Sequence, residues 1–307
     1  MFTGLLKNTF AVLCVFSLEV ILYSVLIEPK ILDWGATVEE SQMTLIGDND
    51  QEKIISTRAI TINAPKENVW RWLMQLGADR AGFFSYEFIE SALGYETRFP
   101  SMALPQFDDF KKNDLIRGSL DEARSVIPYN FEVLNVIPQN TFVLDNWGSF
   151  LITSISDNKT RLLIRTQEPK RIGVFGFIKH HLIAPFHYVM ERRTLYGVKM
   201  KAEKDNRFTH MRDKVWFSSI LISWCMILAL AFVVKGNVKK IIMPTVLGFI
   251  WLINLFILPP LPVYSTLFLL MMCLIVYISL KKRFLKSKIW SEIRHFLYKT
   301  VNLKYEK

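Results

Sequence analysis

The sequence predicts an α+β domain carried on four transmembrane helices, and three observations predict it. Four apolar runs, residues 10–27, 215–234, 241–258 and 261–280, are each 18 to 20 residues long. At about 1.5 Å of rise per residue, roughly 20 helical residues cross a hydrocarbon core of about 30 Å. Between the first two runs, β-rich stretches alternate with turn residues from about 131 to 167. A single long helical period, residues 185–203, then closes the block. The expected architecture is an antiparallel, curved β-sheet around a long C-terminal helix, with spans on both sides of it in sequence.

Charge and composition agree. The 307 residues are 51% hydrophobic with a net charge of +10, too apolar for one water-soluble domain and far from a disordered composition. The excess charge is local. Residues 28–214 hold 25 basic and 25 acidic side chains; the loop 235–240 adds Lys235, Lys239 and Lys240; and the tail 281–307 has nine basic against two acidic residues. Basicity confined to short segments beside apolar helices reads as membrane topology and argues against a nucleic-acid partner.

Taken in order, the first run follows only Lys7, lacks a small-x-small cleavage site and contains Glu19, so it reads as an uncleaved anchor (residues 1–27). Glu19 is either a carboxyl packed or protonated among helices or a functional group, since acidic residues in spans mark function by default. The block 28–210 opens with an alternating strand at 54–63, with Ile60 and Ile62 on one face. Pro65 then begins an amphipathic helix to Leu76, carrying Val69, Trp70, Leu73 and Leu76, and Gly77 stops it. Residues 83–93 suggest a second, aromatic helix, and the Pro-punctuated 96–112 a loop or lid. Residues 115–120 and 124–127 add two short strands, and 131–137, 141–146, 149–156 and 160–167 form a meander. The helix 185–203 places Phe186, Val189, Met190, Tyr196 and Met200 along one side, with Gly197 permitting close approach of a neighbour.

Three spans occupy 211–280, with Pro244 in the first turn of the middle one and Asn254 placed to hydrogen-bond between helices. In the tail 281–307, Ile289, Trp290, Ile293, Phe296, Leu297 and Val301 recur at helical spacing among Lys288, Arg294 and Lys299. That pattern suits a basic amphipathic helix on an anionic leaflet, or one packed on a partner. Counting Lys and Arg near span ends gives thirteen on the side of Lys7, the loop and the tail, against seven on the other. The expected orientation has both termini cytoplasmic and the 28–210 block outside, in a multi-pass cell-membrane protein. Cys14, Cys225 and Cys273 all lie in apolar runs and offer no disulfide framework.

Three stretches, DWGATVEE (33–40), TRAITINAPKENVWRWLMQLGADRAGFFSYEFIESALG (57–94) and PFHYVMERRTLYGVKMKAE (185–203), together with TRLLIRT (160–166), resemble one branch of the SRPBCC superfamily. This superfamily has the helix-grip fold of START lipid-transfer domains, pollen-allergen proteins and polyketide cyclases. The resemblance covers about residues 33–205; 96–128 match poorly, and the three C-terminal spans depart from the family pattern. It implies a deep apolar pocket for a lipid-like or polycyclic ligand but no particular reaction and no catalytic residue set, because the fold hosts transfer proteins, cyclases and binders alike.

On that resemblance the pocket wall falls on Trp72, Phe84, Tyr86, Trp147, Phe150, Phe186, Met190 and Arg193, although Phe83, Phe88 and the other aromatics serve equally well as core filling. Arg193 lies close to the apolar stripe, where it either pairs with a buried carboxylate or clamps a ligand. His180, His181 and His187 diverge in helical angle without a nearby carboxylate or cysteine, so no metal is expected. Asp145, Glu87 and Glu168 would do acid–base work only if two of them met in a cavity. No P-loop, GxGxxG, HExxH or GxSxG motif is present, and no cofactor is expected. Three functions fit: a tethered binder of a hydrophobic small molecule, a cyclase-, dehydrase- or hydrolase-type enzyme acting on one, or a ligand sensor reporting through the basic tail.

Overall fold

A computed structural model describes residues 2–92, 109–120, 130–169, 184–205 and 210–285. The chain forms two compact units, Glu28–Lys214 and the flanking Met1–Ile27 with Val215–Lys307. The expected strand at 124–127, most of the loop 96–112 and the amphipathic tail lie outside the described residues.

The chain begins with helix α1 (Phe2–Leu22), a π-helical turn (Tyr23–Ile27) and the short α2 (Glu28–Leu32). Helix α3 (Val38–Gln42) follows, started by a capping box in which Thr37 and Glu40 satisfy each other's backbone N–H groups. Strand β1 (Glu52–Ile62), helices α4 (Lys66–Leu73) and α5 (Glu87–Ala92), and strands β2 (Leu115–Arg117), β3 (Asn130–Ile137), β4 (Thr141–Leu144), β5 (Gly148–Ser156) and β6 (Lys159–Pro169) precede the long helix α6 (Ala184–Glu203). All six strands form one antiparallel sheet in the order β1-β6-β5-β4-β3-β2. Strands β3 to β6 are the meander read from the turn residues, while β1 travels to pair with β6, placing Ile60 opposite Leu162.

Strand parity sets the core. Ile60 and Ile62 of β1, Leu162 and Ile164 of β6, Phe150 and Ile152 of β5, Phe142 and Leu144 of β4, and Phe131 and Val133 of β3 share the inner face. Helix α4 covers them with Val69, Trp70, Trp72 and Leu73, and α6 joins with Leu195, Val198 and Ala202. The opposite face carries a small cluster of Leu45, Ala59 and Leu163, under the segment 33–49.

Two local expectations change. Residues 83–86 are a turn, and the second helix starts only at Glu87, because Phe84 takes a left-handed φ of 57° that no α-helix accommodates. The buried face of α6 runs through Tyr188, Glu191, Leu195, Val198 and Ala202, whereas Phe186 is 72% exposed. The apolar stripe misplaces the face because α6 buries charged residues too, in pairs that hydropathy alone does not weigh.

The flanking unit holds helix α7 (His210–Val233) from Val215 onward, together with α8 (Lys239–Phe256), α9 (Pro262–Leu285) and α1. Among the described residues four helices are long and apolar enough to cross a membrane: Gly4–Leu32, His210–Val233, Lys239–Phe256 and Pro262–Lys281. The membrane helices carry polar ties between them, as expected where lipid offers no hydrogen bonds. Asn254 Nδ2 donates to the Tyr264 carbonyl at 3.1 Å, Trp251 Nε1 to the Ile220 carbonyl at 2.8 Å, and Trp224 Nε1 to Glu19 Oε2 at 3.4 Å. Glu19 is buried against Gly248 of α8, where a Cβ would strike its carboxylate, so the glycine makes the room. Pro244 sits in the second turn of α8, since the helix begins at Lys239, two residues before the apolar run.

Candidate ligand-binding site

The inner face of the sheet has two chemically distinct ends. Toward β3, β4 and β5 it is aromatic. Phe142 stacks on Phe150 with ring centroids 4.3 Å apart, Trp147 meets Phe150 edge-on at 5.3 Å, and Phe83 and Phe131 approach Trp147 at 5.9 and 5.5 Å. Such pairs add about 0.5–1.5 kcal/mol each beyond the area they bury. Trp147 is the least conventional member. It stands in the β4–β5 turn, only partly buried, yet its indole Nε1 is shielded from solvent with no hydrogen-bond acceptor among the described residues. An unmatched buried donor of this kind costs about 1–3 kcal/mol.

The other end is ionic. Ser56 and Arg58 continue the inward parity of Ile60, and Arg58 donates from Nε to the Ile31 carbonyl at 2.9 Å and from Nη1 to Glu191 Oε1 at 2.8 Å. Thr166 Oγ1 donates to the second Glu191 oxygen at 3.0 Å, and His187 Nε2 lies 3.7 Å from it. Arg58 and Arg192 flank the ring of Tyr188 at 4.9 and 5.1 Å. Burial alone would raise the Glu191 carboxyl, but the Arg58 guanidinium, His187 and the Thr166 hydroxyl carry it below the ordinary carboxylate range. Burial pushes the Tyr86 and Tyr188 phenols up, so both stay protonated at neutral pH.

Between these ends, the 83–86 turn is stitched onto α6. Ser85 Oγ donates to the Met190 carbonyl at 3.1 Å, Arg193 Nη1 to the Phe84 carbonyl at 3.0 Å, and Thr194 Oγ1 to the Phe83 carbonyl at 2.8 Å. One turn further on, a Cβ at Gly197 would collide with the Phe84 backbone, so only glycine lets the turn lie this close. Residues 190, 193, 194 and 197 share one helix face, which holds Phe84 in its left-handed conformation. Arg193 also forks onto Asp213, at 3.2 Å from Nε and 2.9 Å from Nη2, and lies over the Tyr86 ring at 5.9 Å. It is therefore paired with a buried carboxylate, one of its two sequence readings.

The eight residues assigned to the pocket wall fall into separate groups. Trp72 and Phe84 meet edge-on at 6.1 Å, Trp147 and Phe150 belong to the aromatic cluster, and Tyr86, Met190 and Arg193 surround the stitched turn. Phe186 joins none of these and faces outward. Glu87 lies 3.2 Å from His210, and Asp145 is exposed at a hairpin tip. His180, His181 and the Glu168 side chain are outside the described residues. Among the described residues no three His, Cys, Asp or Glu side chains gather as a metal site.

Sequence reasoning missed Arg58, Glu191, Tyr188 and Thr166. The available signal was parity: an arginine two residues before Ile60 on a buried strand face needs a partner. Comparison with protein-family models, with curated proteins and with solved structures finds no match for this chain.

Proposed function

We propose that this chain is a membrane-anchored helix-grip protein, akin to START-like and other SRPBCC domains, that binds a hydrophobic lipid-like or polycyclic small molecule and exchanges it with the bilayer. One observation carries the reading: the solvent-shielded indole N–H of Trp147, within an aromatic wall on the inner face of the sheet, has no acceptor among the described residues. An apolar surface with one convergent polar handle is how small-molecule sites orient an amphiphile, whose hydroxyl or carbonyl oxygen would accept from Trp147. The lysine-rich loop and tail support cytoplasmic termini with Glu28–Lys214 on the other side.

The test uses the full chain in a neutral detergent, with uptake of a fluorescent fatty acid and a fluorescent sterol followed by energy transfer from tryptophan. Saturable uptake of at least one probe is expected, weakened roughly ten-fold by Trp147→Phe, which keeps the ring and removes the donor. Failure to take up either probe, or identical uptake by the variant, would overturn the assignment to this wall.

A further inference from the structure

The flanking unit holds a cavity of its own. Where the start of α1 meets the start of α8, an open cavity of about 520 Å³ has an apolar wall of Leu6, Phe10, Ala11 and Ile241, two ammonium groups, Lys7 and Lys240, and one amide residue, Asn237. Among the described residues no carboxylate lines it. The turn 235–240 carries three lysines and no acidic residue, and the only acidic residue of α1, Glu19, is 12 positions from Lys7, about 18 Å along the helix. Lys7 makes no hydrogen bond or ion pair among the described residues. Lys240 donates to Asn8 Oδ1 at 2.8 Å, which leaves two of its three donors.

Depth decides what such a cavity takes. Lys7 and Lys240 each stand at the start of an apolar run, at the level of the lipid headgroups, and the wall continues from them toward the hydrocarbon. Leu6 and Phe10, 64% and 63% exposed, form its lip. A free phosphate would satisfy the lysines and leave this wall bare. We propose that the cavity is a binding site for one anionic phospholipid, its headgroup phosphate between Lys7 and Lys240 and an acyl chain along Phe10 and Ile241. The site is independent of what Glu28–Lys214 binds.

Native mass spectrometry of the full chain in neutral detergent, titrated with phosphatidylglycerol or phosphatidylcholine of matched acyl chains, tests it. Each interfacial lysine contributes about a five-fold preference for an acidic headgroup, so one phosphatidylglycerol is retained about twenty-five-fold over phosphatidylcholine. The double variant K7Q/K240Q reduces it to the phosphatidylcholine level, while Lys159→Gln, at a hairpin turn of the other unit, changes nothing. Equal retention of the two lipids, undiminished phosphatidylglycerol on the double variant, or its displacement by millimolar inorganic phosphate would overturn the proposal. Should the double variant not fold, Phe10→Trp in the otherwise native chain decides: brominated phosphatidylglycerol quenches its fluorescence more than brominated phosphatidylcholine, and equal quenching overturns the site.

Discussion

Arg58 on the inner face of the sheet and Arg165 on the outer face are equally buried, but they are neutralised differently. Arg58 has a carboxylate from a neighbouring helix and one backbone carbonyl. Arg165 uses all five of its donors, four of them on a strap of chain: Nη1 on the Met43 carbonyl and Asp48, Nη2 on the Glu40 and Ser41 carbonyls, and the fifth, Nε, on Thr57 of β1. Arg161 repeats the pattern, forking onto Glu40 at 2.7 and 2.6 Å and reaching the Gly35 carbonyl. On the inner face, a charge on a rigid strand meets a charge on a rigid helix. On the outer face, guanidinium groups fasten a segment that has little apolar surface of its own, only Leu45 and its few neighbours. Losing a partner should therefore be costly inside, where nothing else can approach, and partial outside, where water can replace a carbonyl.

Glu191→Gln is the sharpest way to break this comparison. It leaves the Arg58 charge buried without its counter-ion, between side chains 2% and 0% exposed in the native pair. Loss of one partner of a buried pair costs about 3–5 kcal/mol. Denaturant unfolding of the solubilised chain, followed by tryptophan fluorescence, should show a loss of that size, and R58M/E191M should restore much of it. A small effect of the single substitution would mean that water already reaches the pair.

Arg165→Met ranks second. The methionine keeps much of the buried stem but abandons five hydrogen bonds, and the strap carbonyls can turn to solvent, so about 1–3 kcal/mol is expected. The loss should also be local. Hydrogen exchange at 40–48 should rise well above that of the strands, and uniform acceleration across the sheet would show that Arg165 supports the core rather than the strap.

What the sequence displays, and what it hides, follows the same division. Strands β3 to β6 and the four spans were legible because alternation, turn residues and unbroken apolar length are local signals. Gly197 marked a close approach correctly, for the 83–86 turn lies there. The face of α6 was not legible, because Glu191, Arg192 and Arg193 count as polar until their partners Arg58, Tyr188 and Asp213 are known, and those lie 20 to 133 residues away except Tyr188. The strap was hidden for a related reason. Residues 33–49 carry almost no periodic apolar pattern, and what fixes them is the outward parity of Arg161 and Arg165 on β6.

The smallest expected effect separates the two faces by pH. The hydrogen bonds from Arg161 hold the Glu40 carboxyl below its ordinary value of 4.5, outweighing partial burial. A carboxyl lowered on folding adds stability that is complete above the unfolded value and fades as the pH falls through the folded one. Because solvent screens this pair, with side chains 17% and 20% exposed, Glu40→Gln should cost only about 0.5–1 kcal/mol at pH 7. The native chain and the variant should converge in stability as the pH drops below 4.5, and added salt at pH 7 should narrow the gap as well. Glu191→Gln should instead hold its deficit in high salt, since a pair closed off from water is screened little. If both gaps narrowed alike with salt, the inner pair would be as open to solvent as the strap, and the contrast between the faces would not stand.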